Sequence, residues 1–426
     1  MKLPTRLPAP NLKLNLGRRS GADVVGLDIQ PGFVAAVRAR VNGSIVAEHA
    51  ASLPLPADTM RDGEVLDVEA LGETLRELFA NGGLGKRVRV GVANQRTVLR
   101  TLELPPVTDH KELAAAVSFQ AQDQVPMPLN NAVLDFHPLG IIDTPAGPRQ
   151  RVVLVAAQRD MIERLLAAVR HAGLTPEGVD LSAFALIRSL YRREADESGR
   201  VLYLNVDGLT NLAIAEGSDC RFTRVVGGGL EGMASELAER RGIALVDARA
   251  LLADADLSVA DEPEPLPEPA PAEAAHEADE AEASTEDSTE SDPDLSREEA
   301  YAREMEMSYE DHATVVAPAA ASSEPVPDAS ETDVRTVLEN GIREISGEVR
   351  NSLDFHRSQD GGGEVSHVVL SGAVEGIPGF AEALQSSLGV EVRAAKLSVA
   401  ADAIFDGVSP HRLAVATGLA AVEAPQ

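Results

Sequence analysis

Tryptophan is absent from the 426 residues, aromatic residues make up 3% of them, and there is one cysteine, Cys220. A core must therefore be built from Val, Leu, Ile and Ala. No disulfide can form within the chain, which fits a reducing compartment. Cys220 lies beside a turn, where a small space-filling residue is the ordinary reading and a reactive thiol the alternative. No apolar run approaches the ~18–20 residues that a membrane span requires. The start, MKLPTRLPAPNLKLNLGRRSG, is basic and Pro-containing but lacks the apolar stretch of a secretory signal. It reads as a solvated tail, with a weak touch on an anionic membrane surface as the alternative. Basic residues are few overall: 38 Lys and Arg stand against 68 Asp and Glu, and the net charge of −30 argues against nucleic acid as a partner. The nine histidines show no paired ligand spacing, so no zinc site is expected.

Most of the acidity is local. Residues 253–333 hold 26 acidic and two basic residues, a net of −24, which leaves −30 − (−24) = −6 for the rest of the chain. That segment is rich in Pro, Glu, Ala, Ser and Thr. It has too few large apolar residues to offset its ordering entropy, so disorder is expected there. Glu298–Tyr309 is its one apolar-bearing stretch, either plain linker or a docking motif. A long insertion inside a domain is tolerable because closure entropy grows only logarithmically with length. Repelling anionic surfaces, recruiting a basic partner, or inert filler are its alternative roles.

What is present begins with an internal repeat. Val24–Val46, VVGLDIQPGFVAAVRARVNGSIV, reads as strand, glycine turn, strand, Asn-Gly turn, strand. Val201–Gly229, VLYLNVDGLTNLAIAEGSDCRFTRVVGGG, repeats that order, with Leu204-Asn205-Val206 matching Leu27-Asp28-Ile29. Two such meanders suggest two similarly built α/β domains, each offering a turn to a shared cleft; two unrelated hairpin units are the alternative. Between them the patterns predict helices over Val65–Phe79, Asp109–Gln124, Met161–Ala172 and Leu181–Arg192. Strands are predicted over Arg87–Val92, Gln95–Leu104, Asn131–Leu139 and Gln150–Ala157. Later helices are expected over Met233–Arg240, Leu245–Leu252, Val334–Phe355, Gly379–Leu388 and His411–Val422.

A strand ending in an acidic residue and a small-residue turn can bring backbone N–H groups to phosphate oxygens. The candidates are Asp28, Gln30 and Gly32 in the first turn and Asn205, Asp207, Gly208 and Thr210 in the second. Gly227, Gly228 and Gly229, with Gly372 and Ala373 after a later strand, suit close approach of a ribose or base. Asp28 can hold a metal-bound water, which makes it the candidate Mg²⁺ residue; capping its own turn is the plainer role. No catalytic grouping of Ser, His and Asp or of Cys and His is visible.

The order of VGLDI, FTRVVGGG, VVLSGAVEGIPGFAEAL and AVATGLAA resembles the actin-like ATPase superfold. Within it the chain resembles the PilM family of type IV pilus assembly proteins, relatives of FtsA. Segments away from the turns share the resemblance, among them RVGVANQRTVLRTLELPPV and VVLVAAQRDMIERLLAAVRHAGLTPEGVDLSAFALIRSL. After the basic flexible tail 1–21, it implies a first domain over 22–200 with a small inserted subdomain near 103–178. The second domain is expected over 201–252 and 334–422, interrupted by the acidic insertion 253–333, with a short tail at 423–426. It further implies ATP or ADP with Mg²⁺ as cofactors and a cytoplasmic protein at the inner face of the inner membrane. The implied partner is a PilN-like inner-membrane protein, whose N-terminal peptide would dock near Glu103–Pro128 and Asn131–Leu139. Other pilus assembly proteins follow as partners, contact with the membrane is indirect, and self-association stays open.

Three departures weaken nucleotide chemistry. Gln30-Pro31 precedes Gly32 where the family places glycine directly after its Asp-Ile pair. Asn205 replaces the second carboxylate, with Asp207 nearby. Leu251 or Leu252 stands where the family carries a nucleotide-contacting lysine. A weak ATPase and a pseudo-ATPase scaffold are both consistent with this. A small-molecule kinase of the same superfold is a third reading, for which no catalytic base is visible. An FtsA-like filament protein is a fourth, disfavoured by the lack of an amphipathic helix after Val422.

Overall fold

The computed structural model describes residues 24–42, 44–81, 83–192, 199–258, 329–359, 362–406 and 408–421. They fall in the compact unit Met1–Ala260 and Pro327–Gln426. Most of the acidic segment, Glu298–Tyr309 included, lies outside the described residues.

The first meander is β1 (Val25–Gln30), β2 (Phe33–Val41) and β3 (Ile45–Pro54), antiparallel throughout. A two-stranded ribbon of β4 (Met60–Arg61) and β5 (Glu64–Val65) leads into α1 (Val68–Asn81). β6 (Arg87–Val92) then pairs in parallel with β1. Every residue of β1 is buried, as a strand covered on both faces requires, so its two polar residues, Asp28 and Gln30, are conspicuous. Leu71, Leu75 and Leu78 form the buried stripe of α1, at the spacing of one helical face.

An inserted unit follows: β7 (Val98–Leu104), α2 (His110–Gln124), β8 (Ala132–Thr144) and β9 (Gly147–Gln158), in the sheet order β7-β9-β8. Asp109 caps α2 by accepting from the amides of Lys111 and Glu112. α3 (Arg159–His171) and β10 (Thr175–Leu181) rejoin the first sheet, where β10 pairs in parallel with β6. The inserted unit is thus bounded near 98–158 rather than 103–178, because α3 packs in the first lobe's core.

α4 (Ser182–Leu190) leads to the second meander, β11 (Arg200–Val206), β12 (Thr210–Glu216) and β13 (Asp219–Val226). α5 (Leu230–Arg241), α6 (Leu245–Ala253) and α7 (Ala329–Ser358) cover that sheet, and β14 (Val365–Ser371), α8 (Phe380–Leu388) and β15 (Val392–Ala394) extend it. The order is β13-β12-β11-β14-β15. The margins of the expected disordered segment are folded. Leu257 donates its amide to the Pro378 carbonyl at 2.8 Å, and α7 starts at Ala329.

The C-terminal part then returns to the first lobe, against the expectation that 334–422 is all second domain. β16 (Val399–Asp406) pairs in parallel with β3, completing the order β10-β6-β1-β2-β3-β16. In place of one helix from His411, a 3-10 turn (Pro410–Arg412) precedes α9 (Ala414–Ala420). α9 is wedged between β1 and α4. A Cβ on Gly26 would lie 1.9 Å from the Ala416 carbonyl oxygen, and one on Gly418 would lie 1.8 Å from that of Ala185. The small-residue sequence AVATGLA is what allows this approach. Arg89, itself buried, donates to the Leu419 and Ala421 carbonyls at 2.8 and 2.9 Å, satisfying the end of α9.

Candidate functional site

The fold brings nearly all the sequence-predicted site residues to one place, where the turn after β1 meets the turn after β11. Asp28, Gln30, Asn205, Asp207 and Thr210 are each 4% exposed or less. Asp28 accepts a hydrogen bond from Gln30 Nε2 at 3.0 Å. Burial pushes its carboxyl up to about 7; neighbouring Asp207 adds to this, while the Gln30 amide and the Arg412 charge oppose it. Gln30 turns its other end to the second lobe, its Oε1 accepting from the Leu209 amide at 3.3 Å.

The second turn is bound on every side. A Cβ on Gly208 would stand 2.2 Å from the Pro31 carbonyl oxygen, so the two turns touch directly. The Asp207 amide donates to the Leu209 carbonyl, and the Asp207 carbonyl accepts from Leu230 at 2.7 Å. Thr210 Oγ1 reaches the Gly228 carbonyl at 3.4 Å. Asn205 Oδ1 accepts from Ser371 Oγ at 3.2 Å. Gly372, at φ +102°, lies against the Val206 backbone, and Ala373 opens the 3-10 turn that follows. In the first turn Gly32, at φ +87°, abuts Glu231, a carboxylate at the start of α5 that Arg249 pairs.

Sequence reading missed Arg412. Its guanidinium straddles Asp207, with Nε 3.1 Å from both carboxylate oxygens and Nη2 on Oδ1, and its Cζ sits 3.7 Å from the Phe33 ring centroid. An isolated arginine in a short turn, 205 residues from its partner, carries no local signal. Beside it, His411 Nδ1 lies 3.0 Å from Glu375 Oε1, and burial raises the Glu375 carboxyl against the pull of that histidine.

These residues, as arranged, do not fit a nucleotide with Mg²⁺. The amide a phosphate would use, Leu209, is taken by Gln30; of the two facing carboxylates, Asp28, the candidate cation residue, is engaged by the Gln30 side-chain amide and Asp207 by Arg412. Leu252 is fully buried in the second lobe's core, so it offers nothing in place of the expected lysine.

A cavity of about 490 Å³ opens nearby instead. It lies where the chain enters the inserted unit (Asn94, Gln95, Thr97), facing Asn211, β13 and the α7 residues Glu344 and Glu348. Gly227 lines it. Asn211 Oδ1, in a residue 3% exposed, and Thr97 Oγ1 have no hydrogen-bond partner among the described residues. Among those residues β13 pairs with β12 alone, and its residues Thr223 to Val226 line this cavity. The described residues include no cluster of metal-ligating side chains and no helix long and apolar enough to cross a membrane.

Two lobes, each headed by a three-stranded meander whose turn meets the other's, define the actin-like ATPase superfold. Within it the chain belongs to the family of the type IV pilus assembly protein PilM, whose model matches residues 26–250. A solved PilM–PilN type IV pilus biogenesis complex is similar over 94% of this chain and 98% of that one, at 21% identity and a TM-score of 0.64. EutJ, an ethanolamine utilization protein from Carboxydothermus hydrogenoformans, is 13% identical over 96% of this chain and 92% of its own, at a TM-score of 0.46. MreB5 of Spiroplasma citri bound to ADP is 13% identical over 93% and 94%, at 0.44.

Proposed function

We propose that this protein is a docking block of type IV pilus assembly. It would work in the cytoplasm at the inner membrane and bind the N-terminal peptide of a PilN-like membrane partner in an extended form. The observation that carries this reading is the 490 Å³ cavity beside an open strand edge. A strand added to β13 would gain main-chain hydrogen bonds, while Asn211, Thr97 and the cavity floor would select its side chains. Among the described residues of the wall, Glu344 and Glu348 face a single basic side chain, Arg224. That arginine pairs with Glu348 at 2.7 Å, so the wall favours a basic peptide.

The site moves from the surface first expected, near Glu103–Pro128 and Asn131–Leu139. There Leu113, Val117 and Ala121 of α2 pack into one core with β7 and β9. Phe119, 74% exposed, remains on the outer side of α2 as a contact for other assembly proteins. ATP or ADP with Mg²⁺, expected from the resemblance, has no step in this proposal.

Calorimetric titration of the full chain with a synthetic peptide matching the partner's N-terminus tests the reading. Binding at about micromolar Kd with a negative heat-capacity change is expected. Absence of heat at two temperatures overturns it. Thr97→Trp should abolish binding by filling the cavity, and unchanged binding to that variant would move the site elsewhere.

A further inference from the structure

The phosphate slot poses a separate question, independent of peptide docking. Its walls carry Asp28 and Asp207 from the two lobes, and Glu231 at the α5 N-terminus, where a phosphate would otherwise find free amides. Arg249 neutralises Glu231, and Arg412 neutralises Asp207. A polyphosphate entering here meets acidic side chains, and both of these arginines are already engaged. The two turns are in backbone contact at Pro31 and Gly208, so the slot has no width until they part.

We propose that the chain closes this slot with its own residues: Gln30, Pro31 and Arg412 form a latch between the lobes, and a bound nucleotide and the closed latch exclude one another. Three contacts make it. Gln30 joins the Asp28 carboxylate on one side to the Leu209 amide on the other. The Pro31 carbonyl abuts Gly208 in the space left by the missing side chain. Arg412, held over Phe33 of the first lobe, grips Asp207 of the second. Its guanidinium occupies both oxygens of the Asp207 carboxylate. The sequence departures thus work together: the inserted Gln-Pro pair supplies the contacts, and Asn205, neutral, spares the slot a fourth carboxylate. Closure of the lobes is thus held by the protein's own side chains.

ATP with Mg²⁺ titrated calorimetrically into the full chain, alongside hydrogen exchange of the segments containing residues 28–33 and 207–210, tests the latch. For the wild type the expected Kd is weaker than about 1 mM. The Leu209 amide should be slow to exchange without nucleotide and unchanged at about 0.1 mM ATP, roughly a tenth of that limit. Arg412→Gln should tighten ATP binding by at least about tenfold and speed exchange at Leu209. Should Arg412→Gln not fold, Pro31→Gly, which releases the other end, should move both readouts the same way. Micromolar ATP binding by the wild type, or fast exchange at Leu209 before nucleotide is added, overturns the proposal. So does a folded latch variant with no gain in affinity.

Discussion

In the first lobe the third strand of the meander, β3, is covered on its outer side by β16; in the second, β13 has β12 as its one strand partner among the described residues. The two meanders share their order of parts, their antiparallel pairing and their buried leading strands. They differ in what is done with the edge. One lobe covers it with a strand from about 350 residues further along, which lengthens the sheet and becomes its new edge. The other leaves it beside a polar cavity. A duplicated unit thus has one third strand covered by a further strand and one that borders a cavity.

The strongest way to break this comparison is to truncate the same position in both cores. Leu27 and Leu204 occupy matching positions and are fully buried. Leu27→Ala and Leu204→Ala should each cost about 2–5 kcal/mol, read by denaturant unfolding. A loss under about 1 kcal/mol at one site would show that the lobes are not equivalent in packing.

A milder probe touches one lobe alone. Charge reversal of Glu344 and Glu348 to Lys should weaken the peptide by about tenfold or more, with the melting midpoint within a few degrees of wild type. Equal weakening by reversing Glu48, which pairs with Arg38 and Arg40 on the covered edge, would mean that the cavity wall is not what the peptide reads.

The smallest expected effect lies at the turns. The Asp28 carboxyl titrates at about 7 in the folded protein, above its ordinary 3.8. A raised acid pKa means the folded state holds the proton where the unfolded chain has lost it. Its contribution to stability is therefore full below about pH 4 and is lost as pH rises through about 7. Asp28→Asn should raise the melting midpoint by a few degrees at about pH 8 and leave it nearly unchanged at about pH 4. Asn205, the matching residue of the other lobe, carries no titratable group, so Asn205→Asp should shift the midpoint in the opposite sense at about pH 8.

Much of this was legible in the sequence because it is written locally. Alternating Val and Leu, glycine turns and leucines at helical spacing place the meanders, α1 and α3 within a few residues. β16 escaped because it lies at a sheet edge with Ala401, Asp402, Ile404 and Asp406 exposed. It lacks the apolar run of a buried strand, and its pairing with β3 depends on contacts made across the chain. The return from the inserted unit was hard to place because β10 carries Pro176 and Gly178 yet pairs in parallel through a local register shift. At the site, the glycines and acidic residues stand out in the sequence. The latch does not, since Arg412 acquires its meaning from Phe33 and Asp207, neither of which is near it in sequence.

The late position of β16 and α9 also bears on biosynthesis. The outer strand of the first sheet and the helix that fits against Gly26 leave the ribosome about 350 residues after β3. At roughly 5–20 residues per second, the nascent first lobe waits tens of seconds with β3 unprotected. During that interval β3 is an unpaired sheet edge, the kind of strand that pairs with other chains.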